Sequence, residues 1–382
     1  MINNMAPSPA LTSVTSCRWM IPLFVILLIT PFQAMSQNRD GEYLLSENTY
    51  NALSEINELL ETERHTEALN KLRSLQQDVQ GNEYEQAVVQ QTMGYAYNAL
   101  ERFDLAADAF IRAVDSNALP ADVSHRLEYF IAQLLAQTRN YDRAIHYLEK
   151  WFSEETDPGI DAYRLAAGLY YENGDHAQVI KYARTAISKS DKPDENLYQL
   201  LLASYFETKD YNNAADLLEN MLQLFPANES YWKQLYSTYQ LLNKDKRALA
   251  VYELAYRRGF LNKDEKEQLA RLYLHLQAPY RAARFLQSEM EKGGLDKTKE
   301  NLKLLAESYH LARETDKAIE AYGEAANLTG DGELYFRQGQ LLFNRQRWTL
   351  AQAALQKALE LGTLKQRAQA QLLLVLPLQS QQ

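Results

Sequence analysis

The sequence predicts an all-α protein built as a repeat array, and three observations carry that expectation. A short phrase ending in a small residue recurs along the chain at intervals of 33–38 residues. Gly and Pro, which punctuate helices and strands alike, number only 14 and 10 in 382 residues. The lone cysteine, Cys17, rules out an intrachain disulfide scaffold or a Cys-based zinc site. The formal charge of −10 argues against a phosphate-backbone binder, which needs a basic face.

The N-terminus reads as a targeting segment. Arg18 is the one charge in residues 1–36, and the apolar run Trp19–Phe32 follows it. That run has 14 residues and contains Pro22 and Pro31, short of the roughly 20 apolar residues a membrane span needs. Ala34-Met35-Ser36 supplies a small-x-small cleavage site, so residues 1–36 are expected to be a secretory signal peptide. An uncleaved inner-membrane anchor is the alternative, and Met5 offers an internal start. Cleavage before Gln37 leaves an exported, acidic chain without cysteine, which fits a periplasm. Residues 37–48 form a lead-in, 49–365 the array, 366–376 a capping helix, and 377–382 a disordered tail after Pro377.

The recurring phrase is Arg102-Phe103-Asp104-Leu105-Ala106, then Asn140-Tyr141-Asp142-Arg143-Ala144, then Asp210-Tyr211-Asn212-Asn213-Ala214. Later copies end at Ala318 and Ala351. A large residue sits four positions past the small one, at Phe110, Leu148, Leu218, Tyr322 and Leu355. This is similar to the tetratricopeptide (TPR) repeat, whose period is about 34 residues. Aligned on it, copies start near residues 49, 87, 125, 160, 195, 229, 263, 299 and 332. Gly94 and Gly339 keep the repeat's glycine, Trp232 its tryptophan and Pro226 its terminal proline. The fourth copy departs with Val179 at the small position. In the seventh, Pro279 falls in the turn and Ala282 or Ala283 takes the small position. Each copy is expected to be two antiparallel helices in tight contact at the small residue. One such pair cannot bury its apolar face alone, whereas stacked neighbours can. The resemblance implies a right-handed superhelical solenoid of about nine helix-turn-helix repeats.

The chain offers little chemistry. No phosphate loop, dinucleotide fingerprint, nucleophile elbow or H-E-x-x-H occurs. His125 and Glu128, three apart, read as a solvated helix face, and Glu154-Glu155 as solvated carboxylates. No catalysis, cofactor or metal is expected. A catalytic domain would also need roughly 100 residues outside the array.

In the TPR family the concave groove is lined by first-helix positions 2, 5, 9 and 12. Carried onto this sequence, they give Tyr95 and Asn98 in the second copy and Arg126, Tyr129 and Gln133 in the third. The fourth gives Arg164 and Tyr171, the fifth Asn196, Gln199 and Phe206, and the sixth Lys233 and Gln240. Aromatics mixed with Arg and amides suit an extended peptide or a partner helix. The competing reading is that Tyr95, Tyr129, Tyr171 and Phe206 pack between copies.

Particular phrases carry a closer likeness. They include Asn140-Tyr141-Asp142-Arg143-Ala144-Ile145 running on to Trp151-Phe152, Ala255-Tyr256-Arg257-Arg258-Gly259-Phe260-Leu261, and Asp331-Gly332-Glu333-Leu334-Tyr335-Phe336-Arg337-Gln338-Gly339-Gln340. They resemble the exported TPR proteins of gammaproteobacteria assigned to TonB energy-transduction systems. That resemblance implies a periplasmic accessory of TonB, ExbB and ExbD in outer-membrane nutrient or iron uptake. A TPR scaffold of another envelope assembly, for polysaccharide export, pili or peptidoglycan, shares every feature above.

Overall fold

The computed structural model describes residues 43–361 and 364–379. The expected signal segment and the first residues of the lead-in lie outside this range. The described residues form helices and no strands, and they divide into two compact units at Leu217–Leu218.

The first unit holds α1 (Glu47–Glu61), α2 (His65–Asp78), α3 (Glu83–Ala99), α4 (Phe103–Asp115), α5 (Ala121–Gln137), α6 (Tyr141–Glu154), α7 (Ile160–Glu172), α8 (His176–Lys189) and α9 (Glu195–Glu207). Helix α10 (Tyr211–Leu224) crosses the boundary. The second unit holds α11 (Glu229–Leu241), α12 (Asp245–Arg257), α13 (Lys263–His275), α14 (Pro279–Glu291), α15 (Lys299–Leu311), α16 (Thr315–Thr329), α17 (Gly332–Asn344), α18 (Trp348–Glu360) and α19 (Arg367–Gln379). Within each unit, consecutive helices pair as antiparallel hairpins and each hairpin packs on the next.

First helices begin at residues 160, 195, 229, 263, 299 and 332, where the repeat alignment places them. The earlier ones begin at 47, 83 and 121, ahead of the expected 49, 87 and 125. The physical reason is length: the first two intervals are 38 residues, and the four extra residues add one turn to the N-termini of α3 and α5. Helix α1 starts inside the expected lead-in, capped by the Ser46 hydroxyl. Helix α19 runs to Gln379, past the expected stop at Pro377. Pro377 therefore lies within the last turn of α19 and does not end it.

What breaks the chain between the two helices of a hairpin is one residue in the left-handed region. These are Glu63, Glu101, Arg139, Gly174, Lys209, Asn243, Gln277, Arg313 and Gln346. Their spacing reproduces the sequence intervals, because the turn is a local event fixed in each repeat. Five residues later comes the small position, and Ala68, Ala106, Ala144, Val179, Ala214, Ala248, Ala282 and Ala318 are all fully buried there. The seventh repeat thus uses Ala282, and Pro279 is the first residue of α14, where its missing N–H costs nothing. In the fourth repeat Val179 and Ala183 exchange sizes, and both are fully buried.

The helix pair is closed by a matched contact. Gly94 of α3 faces the Phe110 ring of α4, and Gly339 of α17 faces Leu355 of α18. Where the first partner is large, the second adapts: the rings of Tyr236 and Tyr252 stack at 3.9 Å with 9° between their planes.

Candidate functional site

The predicted groove residues are never fully buried. In the first unit, Arg126, Asn196 and Gln199 are exposed and Tyr95 is 38% exposed. Asn98, Tyr129, Gln133, Arg164, Tyr171 and Phe206 are half-buried. In the second unit, Gln240 is exposed and Lys233 half-buried.

Helical spacing puts these side chains on one stripe of each first helix, and the hairpin stack adds a second set of contacts. Tyr95 meets Phe110 edge-on at 5.0 Å. Tyr129 leans on the Trp151 indole at 4.8 Å and is hydrogen-bonded to Gln133. Burial, with the negative charge of Asp161, pushes the Tyr129 phenol up to about 12, so it stays neutral and can donate a hydrogen bond. Tyr171 meets His176 edge-on at 5.7 Å, and Phe206 lies 6.3 Å from Tyr211. The amide oxygen of Asn98 is buried without a partner among the described residues.

The cations of the stripe are already engaged. Arg164 pairs with Asp161 at 3.0 Å and reaches Asp194, the N-cap of α9, at 3.3 Å. Arg126 pairs with Asp122 at 2.9 Å. Lys233 pairs with Glu229 and, at 2.8 Å, with Glu265 in the first turn of α13. A residue at position 5 therefore meets the acidic start of the next repeat. The sequence carries that signal as an acid 30–32 residues downstream of Tyr129, Arg164 and Lys233.

The expected solvated face at His125 and Glu128 is corrected. Glu128 is 2% exposed and its carboxylate accepts Lys150 Nζ at 2.8 Å. His125 stacks on Trp151 at 5.6 Å and lies 3.3 Å from Glu155 and 3.8 Å from Glu154. The cause is the neighbouring helix: this face of α5 lies against α6, whose Lys150 and Trp151 cover it. Glu155 is also more than a solvated carboxylate. The backbone N–H of Asp157 and the His125 imidazole hold its carboxyl below the usual range. Among the described residues no group of three His, Cys, Asp or Glu side chains has the arrangement of a metal site. No helix among them is long and apolar enough to cross a membrane.

The fold is an all-α array of tetratricopeptide-type hairpins. The buried small position, the left-handed turn and the matched helix contact recur in register and decide this within the chain itself. No protein-family model matches the sequence, and no curated protein matches it at a significant level. Among solved structures, a tetratricopeptide repeat protein from Parabacteroides merdae is 13% identical over 71% of this chain and 99% of its own, with a TM-score of 0.35. The peptide-binding TPR protein YrrB is 18% identical over 49% of this chain and 95% of its own, with a TM-score of 0.35. The structure of Naa15/Naa10 bound to HypK is 14% identical over 84% of this chain, with a TM-score of 0.31; this chain spans only 64% of the length of the chain it matches. Such distant likenesses carry no argument about what this protein binds.

Proposed function

We propose that this chain is a non-enzymatic protein–protein interaction scaffold that takes an extended peptide or partner helix along its first-helix stripe. The observation that carries the reading is the stripe itself. Tyr95, Tyr129, Tyr171 and Phe206 keep part of each ring at the surface, flanked by amide side chains, instead of being consumed by the core. Large aromatic surface at low entropy cost is what partner-binding faces use.

The finer reading is a periplasmic accessory of a TonB–ExbB–ExbD system. Its support is the sequence resemblance and the signal-like N-terminus. The test is site-specific photo-crosslinking in the host envelope, with the crosslinker at Tyr95 or Tyr129 and adducts identified by mass spectrometry. TonB, ExbB or ExbD adducts from these positions are expected, and Tyr129→Ala with Tyr171→Ala should reduce binding while helicity persists. Adducts only with glycan-export, pilus or cell-wall proteins would discard the TonB reading and keep the scaffold. Loss of helicity in the double variant would make those rings core and remove the stripe.

A further inference from the structure

The repeats act as internal controls for one another. Eleven residues before the left-handed turn residue, the first, fourth, fifth, sixth, eighth and ninth repeats carry Ala52, Tyr163, Tyr198, Trp232, Leu302 and Tyr335, whereas the second, third and seventh carry Gln90, Glu128 and Lys266. Twelve residues after the turn residue every other repeat has an apolar side chain, such as Ala255 or Ala325, and the seventh has Glu289. The two replacements meet. Lys266 Nζ lies 2.8 Å from Glu289 Oε2, and the Tyr256 hydroxyl donates to Glu289 Oε1 at 2.6 Å. Glu289 is buried.

The seventh is thus the one repeat in which both positions of this contact are charged; in the third, buried Glu128 at the first position pairs instead with Lys150, next to the apolar Trp151 at the second. Such a pair contributes no more stability than well-packed apolar groups, because the carboxylate is buried and the half-buried ammonium loses part of its water. A local departure of this kind, with no stability gain to explain it, marks a place under functional demand.

The pair forms the floor of an open notch of about 470 Å³ in the second unit. Arg257 and Lys292, both exposed, complete its charged lining. No other repeat has a base at the position of Arg257. Neither Arg257 nor Lys292 has an ion-pair partner among the described residues. The floor is tight: a Cβ on Gly294 would run into the Glu289 carboxylate. The lining therefore holds three cations against one carboxylate, in a chain whose net charge is −10.

We propose that this notch receives a side-chain carboxylate from an acidic peptide segment of a partner protein. Arg257 and Lys292 bind it, with Lys266 donating from below. An ammonium has three donors, so Lys266 can serve Glu289 and an incoming carboxylate together. Charge-assisted bonds of this kind are among the stronger polar contacts. Buried Leu261 lies on the same wall and offers an apolar edge to the flanking peptide. The inference rests on the proposed scaffold role only in taking the ligand to be a protein.

The test uses the full chain and a fluorescein-labelled hexaglutamate peptide, read by fluorescence anisotropy at low ionic strength. Saturable binding is expected. Arg257→Gln and Lys292→Gln should each weaken it about tenfold or more. The double variant Lys266→Tyr with Glu289→Ala installs the pair seen at Tyr163 and Ala186, so it should keep the melting profile and lose the peptide. Equal weakening by Lys246→Gln or Lys297→Gln would reduce the effect to general charge and overturn the site. Tighter binding of inorganic phosphate than of hexaglutamate would make it a free-oxyanion site and overturn the peptide reading. No saturable binding overturns it outright. Crosslinks from Tyr95 and Tyr129 would survive any of these failures, which separates them from failure of the stripe.

Discussion

Replacing Gly94 and Gly168 by alanine should move stability in opposite directions, although both glycines lie inside helices. A helical Gly→Ala change normally stabilises by about 0.8–1 kcal/mol, because glycine loses more backbone freedom on folding. At Gly168 in α7 nothing lies within 4 Å of the added methyl, so that gain should appear in full. At Gly94 the methyl would sit 2.6 Å from two carbons of the Phe110 ring. Phe110 is 1% exposed and wedged between α3 and α4, so it has nowhere to swing. Over-packing of this kind costs about 1–3 kcal/mol, which outweighs the helix gain and leaves a net loss of up to about 2 kcal/mol. For a unit of this size, 1 kcal/mol corresponds to about 2–4 °C in melting midpoint. Urea and thermal melts followed by far-UV circular dichroism would read both variants. Adding Phe110→Leu to Gly94→Ala should recover part of the loss, since the two side chains share one contact. Equal stabilisation by both alanines would refute the close helix contact and with it the repeat register.

Two further outcomes are expected. Arg139 holds a left-handed conformation with φ of 60°, where an L side chain carries about 1–2 kcal/mol of strain, so Arg139→Gly should raise the unfolding midpoint; Gly174→Ala, at φ of 79° in open space, should lower it. The Asp331 carboxyl, which caps α17, is held below its ordinary range by Lys299 and the Glu333 N–H. Its contribution is complete above the unfolded carboxylate pKa and is lost as pH falls through the lower folded value. Unfolding midpoints measured at falling pH should therefore drop less steeply for Asp331→Asn than for the parent, and an unchanged slope would remove this role.

The repeat was legible in the sequence because its causes are local. Ala106, Ala144 and Ala318 mark the helix contact, and the left-handed residue five positions earlier fixes the turn. Neither depends on what lies across the stack. The first-helix starts in the 38-residue repeats were misplaced for the same reason: the phrase anchors the turn, and extra residues at the far end of the helix leave no mark on it. The stripe was legible as a face, because helical spacing alone puts Tyr129 and Gln133 together.

Other features came only from the stack. Sequence spacing left Arg164 and Lys233 as available cations, yet Asp194 and Glu265 of the following repeats engage them. Glu128 read as solvated and is buried, since its neighbour α6, not its own helix, decides its exposure. Lys266 and Glu289 stand 23 residues apart and became a buried pair only when α13 was laid against α14. The sequence by itself determined period, turns and helix faces, which follow from backbone geometry within one hairpin. The tertiary structure decided which charges meet and which lose their water, because those depend on distances between helices that no local pattern encodes.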